Sequence, residues 1–189
     1  MDKSIKNGII GFVVGDVLGV PVEFMTREKL RKNPVVDLRE YGTHNQPLGS
    51  WSDDTSMTLA TMDSMIHKEE IDTTDIGNRF FNWYRKNEYT PLGKVFDIGR
   101  TTIQALAKYE LKLDEAKNCG EEDEYSNGNG SLMRMIPIAY YIYYKKIKDD
   151  KEIYNIVKDV SSITHRHEVS ILGCYIYVSF ILGLLNGLV

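Results

Sequence analysis

The chain has 189 residues, of which 42% are hydrophobic and 26% charged, with a formal net charge of −4. That apolar content excludes a disordered chain and is sufficient for one packed core. With 23 Lys and Arg against 27 Asp and Glu there is no basic surplus for phosphates, which excludes an electrostatically driven nucleic-acid binder.

Helical spacing begins near the N-terminus. From Lys3 to Val17, Ile5, Ile9, Phe12 and Val13 recur as one helix face. The mildly basic start, Met1 to Lys6, leads into an apolar stretch that Asp16 stops, without a small-residue cleavage site, so no signal peptide is expected. Asp53 to His67 predicts a helix with Leu59, Met62 and Ile66 on one side. Thr74 to Lys86 predicts another, carrying Ile76, Phe80, Phe81 and Tyr84. Thr101 to Leu113, Ser131 to Lys146 and Lys151 to Ile163 continue the series. The last segment holds 21 consecutive uncharged residues, Val169 to Val189. Its length would span a bilayer. Ser170, Ser179, Asn186 and the lack of a basic flank favour a buried core helix and no membrane association. No alternating runs are joined in hairpin fashion, so the expected fold class is all-α, with about seven helices in one domain over 1–189. Cys119 and Cys174 form neither a disulfide framework nor a zinc cluster and read as free thiols of a reducing, cytoplasmic compartment.

Four segments carry chemistry-bearing residues. Gly15-Asp16-Val17-Leu18-Gly19-Val20-Pro21-Val22-Glu23 sets two carboxylates in a turn after a helix, where Glu23 suits a proton-transfer role or is simply an exposed acid. Ser52-Asp53-Asp54 reads either as an N-cap with acids at the positive helix end or as hard oxygen ligands for a Mg²⁺-like ion; capping needs one acceptor, not three. Gly128-Asn129-Gly130-Ser131, running into a helix and followed by Arg134, offers backbone N–H groups for a phosphate or is a plain turn. Thr164-His165-Arg166-His167 places two histidines two residues apart, off a common helix face, which disfavours a zinc pair. Asp97, before Gly99, is an N-cap or a substrate contact by spacing alone.

Taken in order, these segments resemble the ADP-ribosylglycohydrolase family, which includes dinitrogenase reductase-activating glycohydrolases. The Gly15–Glu23 stretch is similar to its opening motif. Trp51-Ser52-Asp53-Asp54-Thr55 is similar to its metal motif, and Asp97-Ile98-Gly99-Arg100-Thr101-Thr102, Gly128 to Arg134 and Thr164-His165 to the next three. The resemblance implies an all-helical fold, a binuclear Mg²⁺ centre (Mn²⁺ in some members) and hydrolysis of a glycosidic bond to ADP-ribose on a modified protein or a small conjugate. It implies Ser52, Asp53 and Asp54 as metal ligands, and Glu23 and Asp97 at the reacting bond. Gly128, Asn129, Gly130 and Ser131 would then hold the diphosphate, with His165 beside the bound ADP-ribose.

Ser52 stands where the family commonly has Thr, and the hydroxyl survives. The family's later Asp-x-Asp motif, which completes the metal centre, has no counterpart anywhere in the chain. The 189 residues therefore read as the N-terminal portion of such a domain, with little turnover expected alone. The alternative is a catalytically inactive member that binds ADP-ribose or a partner. The uncharged C-terminal helix is expected to need a cover, from a second copy or from a missing C-terminal segment.

Overall fold

The computed structural model describes residues 3–188; Met1 and Asp2 of the basic start and Val189 of the uncharged run lie outside the described residues. Among the described residues there are eight α-helices and no β-strand, in line with the all-α expectation. In chain order they are α1 (Lys3–Gly19), α2 (Arg27–Lys32), α3 (Asp53–Lys68), α4 (Thr73–Lys86), α5 (Arg100–Glu110), α6 (Met135–Tyr144), α7 (Asp150–Ser162) and α8 (Glu168–Leu185). Short 3₁₀ turns lie at Gly42–His44, Ala116–Asn118 and Leu132–Arg134. The last of these splits the predicted Ser131–Lys146 helix, so that α6 starts at Met135 and Pro137 falls in its first turn, where no intrahelical N–H is required.

Local signals explain the boundaries. Asp72 accepts from the amides of Thr74 and Asp75 at the start of α4, and Asp149 accepts from that of Glu152 at the start of α7. Glu69 and Asn87 end α3 and α4 in the left-handed conformation, their amides bonding back to Met65 and Trp83. The two histidines separate as their spacing requires: His167 caps α8 by accepting from Val169 N at 3.2 Å, while His165 turns inward.

The core gathers Met57 of α3, Phe80 and Trp83 of α4, Ile138 and Ile142 of α6, Val157 and Val160 of α7 and Val178 of α8. Two expectations are corrected. In α3 the buried side is Thr55, Ser56, Met57, Thr58, Ala60, Thr61 and Ser64, whereas Ile66 is exposed. Small side chains let this helix approach its neighbours closely, and its hydroxyls bond carbonyls: Thr61 to Met57 O, Ser56 to Ser52 O and Thr58 to Met133 O, each at 2.8 Å. α8, expected as a buried core helix, is buried on one side only, through Ile171, Cys174, Val178 and Ile181 with Ser170; Val169, Leu172, Ile176, Phe180 and Leu184 are exposed along the opposite side, the apolar face expected to need a cover. It packs on α6, α7 and the Leu132–Arg134 turn, and its opposite side is open among the described residues. By length and composition α8 passes for a membrane span, and its Tyr177 lines the cleft discussed below.

The two sides of this fold differ in what a truncation removes. Ile142→Ala, at a fully buried position of α6, is expected to cost about 2–5 kcal/mol. Ile176→Ala, on the open side of α8, is expected to cost under about 0.5 kcal/mol. Urea unfolding of the two variants checks the contrast.

Candidate active site

The site is built on a carboxylate that does not face it. Asp16, near the end of α1, accepts from Ser52 N at 3.0 Å and Ser52 Oγ at 2.7 Å, and from Thr55 N at 3.1 Å and Thr55 Oγ1 at 2.6 Å. It thus caps the start of α3 from another helix, satisfying N–H groups that have no intrahelical partner. The Ser52 hydroxyl also accepts from Asp54 N, so the N-cap reading of Ser52 holds. With both ends of this junction fixed, Asp53 and Asp54 project into a cleft of about 510 Å³.

Glu23 and Asp97 reach the same cleft from two turns. Beyond α1 the chain folds back with Val22 N and Glu23 N donating to Gly19 O, and the turn is braced by the Gly42–His44 segment. Thr43 N donates to Pro21 O at 3.0 Å and Thr43 Oγ1 to Glu23 O at 2.7 Å. Gly42 is at φ +53, and a Cβ there would lie 2.0 Å from Pro21 O, so the brace requires glycine. His44 Nε2 sits 2.6 Å from Glu23 Oε2 and 3.6 Å from Asp97 Oδ2, with its ring between those of Phe24 and Phe96. Asp97 itself has φ +51, a conformation its polar side chain tolerates.

Crowding of like charge marks this wall. Burial, then Asp54, Asp97 and Asp16, push the Asp53 carboxyl up to about 9. Burial and Asp16 raise Asp54 to about 6, and burial and Glu23 raise Asp97 to about 6. Asp53 is about nine-tenths buried and receives no hydrogen bond from any other described residue. A buried, unpartnered carboxylate beside a second one is a hard-oxygen donor set, and a divalent cation fits it: the cation would ionise both acids and supply the missing partner. Glu23, His44 and Asp97 offer ligand atoms within 4.8 Å of one another, a second place where mixed N and O donors converge.

The opposite wall is the Gly128–Gly130 loop with His165. Arg134, fully buried beneath it, donates to Gly130 O, Val160 O, Ser161 O and Thr164 Oγ1, with its guanidinium 4.9 Å from the Phe80 ring centroid. It therefore holds the loop to the end of α7 and does not enter the cleft. Burial lowers its pKa to about 10, which still leaves it charged. The Thr164 hydroxyl accepts from Arg134, which can only donate, and is also hydrogen-bonded to His165 Nδ1, 2.8 Å away. The His165 imidazole, pushed down to about 4 by burial and then by Arg134, is neutral, and its Nε2 edge lies beside Gly128 and Gly130. A Cβ at Gly130 would lie 2.7 Å from His165 Cε1, so the loop and the ring need that glycine to meet.

Most of the expected site residues are thus brought to one cleft: Glu23, Asp53, Asp54, Asp97, Gly128, Asn129, Gly130 and His165. Ser131 stands behind it, fully buried, with its hydroxyl 2.8 Å from that of Ser161 and 3.2 Å from Cys174 Sγ, whereas Ser52, bonded to Asp16, lines the adjoining space with Glu23, Asp54 and Asp97. Asp16 and His44 carry structural weight that the sequence did not assign. Asp16 lay inside a segment already singled out, whereas His44 had no local signal, its partners being 21 and 53 residues away.

The fold and this convergence define an all-helical domain with a cleft of acids facing a glycine loop, and the chain belongs to the ADP-ribosylglycohydrolase family, which matches residues 2–188. It is 32% identical over 188 residues to the ADP-ribosylarginine hydrolase Tri1 of Serratia proteamaculans, covering 99% of this chain and 48% of that protein. It is 27% identical to the ADP-ribosyl-[dinitrogen reductase] glycohydrolase of Rhodospirillum rubrum, covering 94% of this chain and 56% of that protein. A solved ADP-ribosylglycohydrolase-related protein complex superposes with a TM-score of 0.72 at 25% identity, over 96% of this chain and 56% of the other. The chain spans about half the length of these relatives.

Asp53, Asp54 and Asp97 hold protons more tightly folded than unfolded, so without divalent cation the unfolded state binds fewer protons and stability falls as pH rises from about 4 to about 9. Asp53→Asn is expected to remove the part of this decline above pH 6 and to raise the melting temperature at pH 8 by roughly 3–8 °C. Thermal unfolding in EDTA over that pH range checks both.

Proposed function

We propose that this chain provides the ADP-ribose pocket and the first carboxylate pair of a Mg²⁺-dependent hydrolase that releases ADP-ribose from modified arginine side chains, on proteins or small conjugates. The observation that carries the reading is the buried, unpartnered Asp53 beside Asp54, facing the Gly128–Gly130 loop across one cleft. Family membership and relatives named as ADP-ribosylarginine and ADP-ribosyl-[dinitrogen reductase] hydrolases support it, and favour a hydrolase over a binding-only role. Residues 1–189 form, in this reading, one domain that corresponds to the N-terminal portion of those proteins.

Cleavage at an anomeric carbon passes through an oxocarbenium-like state, and a site must hold the sugar, handle one proton and stabilise the developing charge. Asp53 and Asp54, with the Ser52 oxygen, would hold Mg²⁺, which when bound fixes sugar hydroxyls and polarises water. The Gly128–Gly130 backbone and the neutral imidazole of His165 suit the diphosphate and adjoining ribose, as polar groups that add no charge of their own. Glu23, steadied by His44, is the proton-transfer group, and Asp97 lies beside it to position the linkage. Three oxygen donors fall short of a complete octahedral shell, so slow turnover by the 189 residues alone is expected even where ligand binding is retained.

Calorimetry tests this directly. ADP-ribose is expected to bind the chain more tightly with Mg²⁺ than in EDTA, and Asp54→Asn is expected to abolish that difference while leaving the EDTA affinity within about twofold. Absence of ADP-ribose binding in both conditions would overturn the proposal.

A further inference from the structure

The acidic end of the cleft carries a side chain that neither the fold nor the reading above employs. Phe24 follows Glu23 in the turn beyond α1 and lines the cleft with Glu23 and Asp97, yet it is 80% exposed. An exposed phenylalanine alone means little. This one is also held at φ +60, an outlying conformation for a bulky side chain, which the surrounding structure must enforce. Enforcement is visible: the Thr43 hydroxyl donates to Glu23 O, Met25 N donates to Val22 O, and the His44 ring lies 6.1 Å from that of Phe24. The turn therefore presents the aromatic ring at the rim and does not let it fold into the core.

The rim's electrostatics specify what the ring can meet. Arg100 is the one basic side chain among the described residues lining the cleft; it sits at the start of α5. Glu23 and Asp97, by contrast, stand beside Phe24 with only His44 between them. An aromatic face next to two carboxylates suits a planar cation: the ring quadrupole attracts the charge and the carboxylates accept its N–H groups. A hydroxyl-bearing leaving group gains neither interaction.

Resting on the hydrolase reading above, we propose that Phe24 is the specificity-determining residue for the leaving group, its ring with Glu23 and Asp97 forming an open cradle for a guanidinium, so that arginine-linked ADP-ribose is preferred over serine-linked ADP-ribose. Phe24 acts by binding and takes no part in proton transfer.

The test is calorimetric titration of the 189-residue chain and of its Phe24→Ala and Phe24→Tyr variants with ADP-ribose, ADP-ribosylarginine and ADP-ribosylserine. The wild-type chain is expected to prefer the arginine conjugate to the serine conjugate. Phe24→Ala is expected to weaken the arginine conjugate about five- to tenfold while leaving ADP-ribose and the serine conjugate within about twofold, and Phe24→Tyr to retain the preference. Equal weakening of all three ligands, or no weakening of any, overturns the assignment while leaving the ADP-ribose pocket intact. A wild-type chain that binds ADP-ribose but shows no arginine preference also overturns it. Failure to bind any of the three removes both this inference and the hydrolase reading.

Discussion

The arrangement depends on how one carboxylate is used. Asp16 gives its oxygens to the amides and hydroxyls of Ser52 and Thr55, and in doing so locks the end of α1 to the beginning of α3. Because its lone pairs are occupied by donors, Asp16 stays a cap; because its charge remains, it raises the proton affinity of Asp53 and Asp54 beside it. The same junction thus fixes the position of the acid pair and makes that pair electrostatically unhappy without a cation. Strain of this kind is tolerated at functional sites and is compensated elsewhere, here by the capped helix and by the close packing of small α3 side chains.

The other wall solves a different problem. A loop of glycines has little side-chain packing to hold it, and Arg134 substitutes for packing by bonding four acceptors from below. The guanidinium is buried without a carboxylate, its charge met by carbonyl dipoles and by the Phe80 face. Through Thr164 the same arginine is linked to His165, so loop position and the placement of the imidazole are coupled by one side chain. Acids on one side and a glycine loop with a neutral imidazole on the other make the cleft polar in a directed sense, which is what the proposed reading uses.

Much of this was legible in the sequence, for physical reasons that differ by segment. Helices with strong caps and periodic large apolar residues, such as α4 and α7, were read within a residue or so of their ends. α3 was placed well but turned the wrong way, because its buried side is made of Thr, Ser and Ala, which hydropathy counts as neutral and which bury here by bonding carbonyls. That α8 needs a cover is legible from its uncharged composition, but not which side stays open, because a helix apolar all round carries no signal of which face finds a partner. Glu23, Asp53, Asp54 and His165 stand out in the sequence because each sits in a local cluster with recognisable chemistry, and the fold brings all four to one cleft. His44 does not stand out, since its role comes only from the fold that brings residues 23, 44 and 97 together, and Ser131 misled because a hydroxyl in a phosphate-type loop can equally turn into the core.

The central claim is that the cleft is assembled around an acid pair that is incomplete without a divalent cation. Side-chain ¹³C NMR of Asp53, titrated in EDTA and then with Mg²⁺, measures it most directly. The account predicts a carboxyl that is protonated at neutral pH without cation, with a midpoint near 9, and that shifts to the ionised form when Mg²⁺ is added. An Asp53 carboxyl already ionised above about pH 4, as in an unperturbed side chain, and indifferent to Mg²⁺ would contradict it.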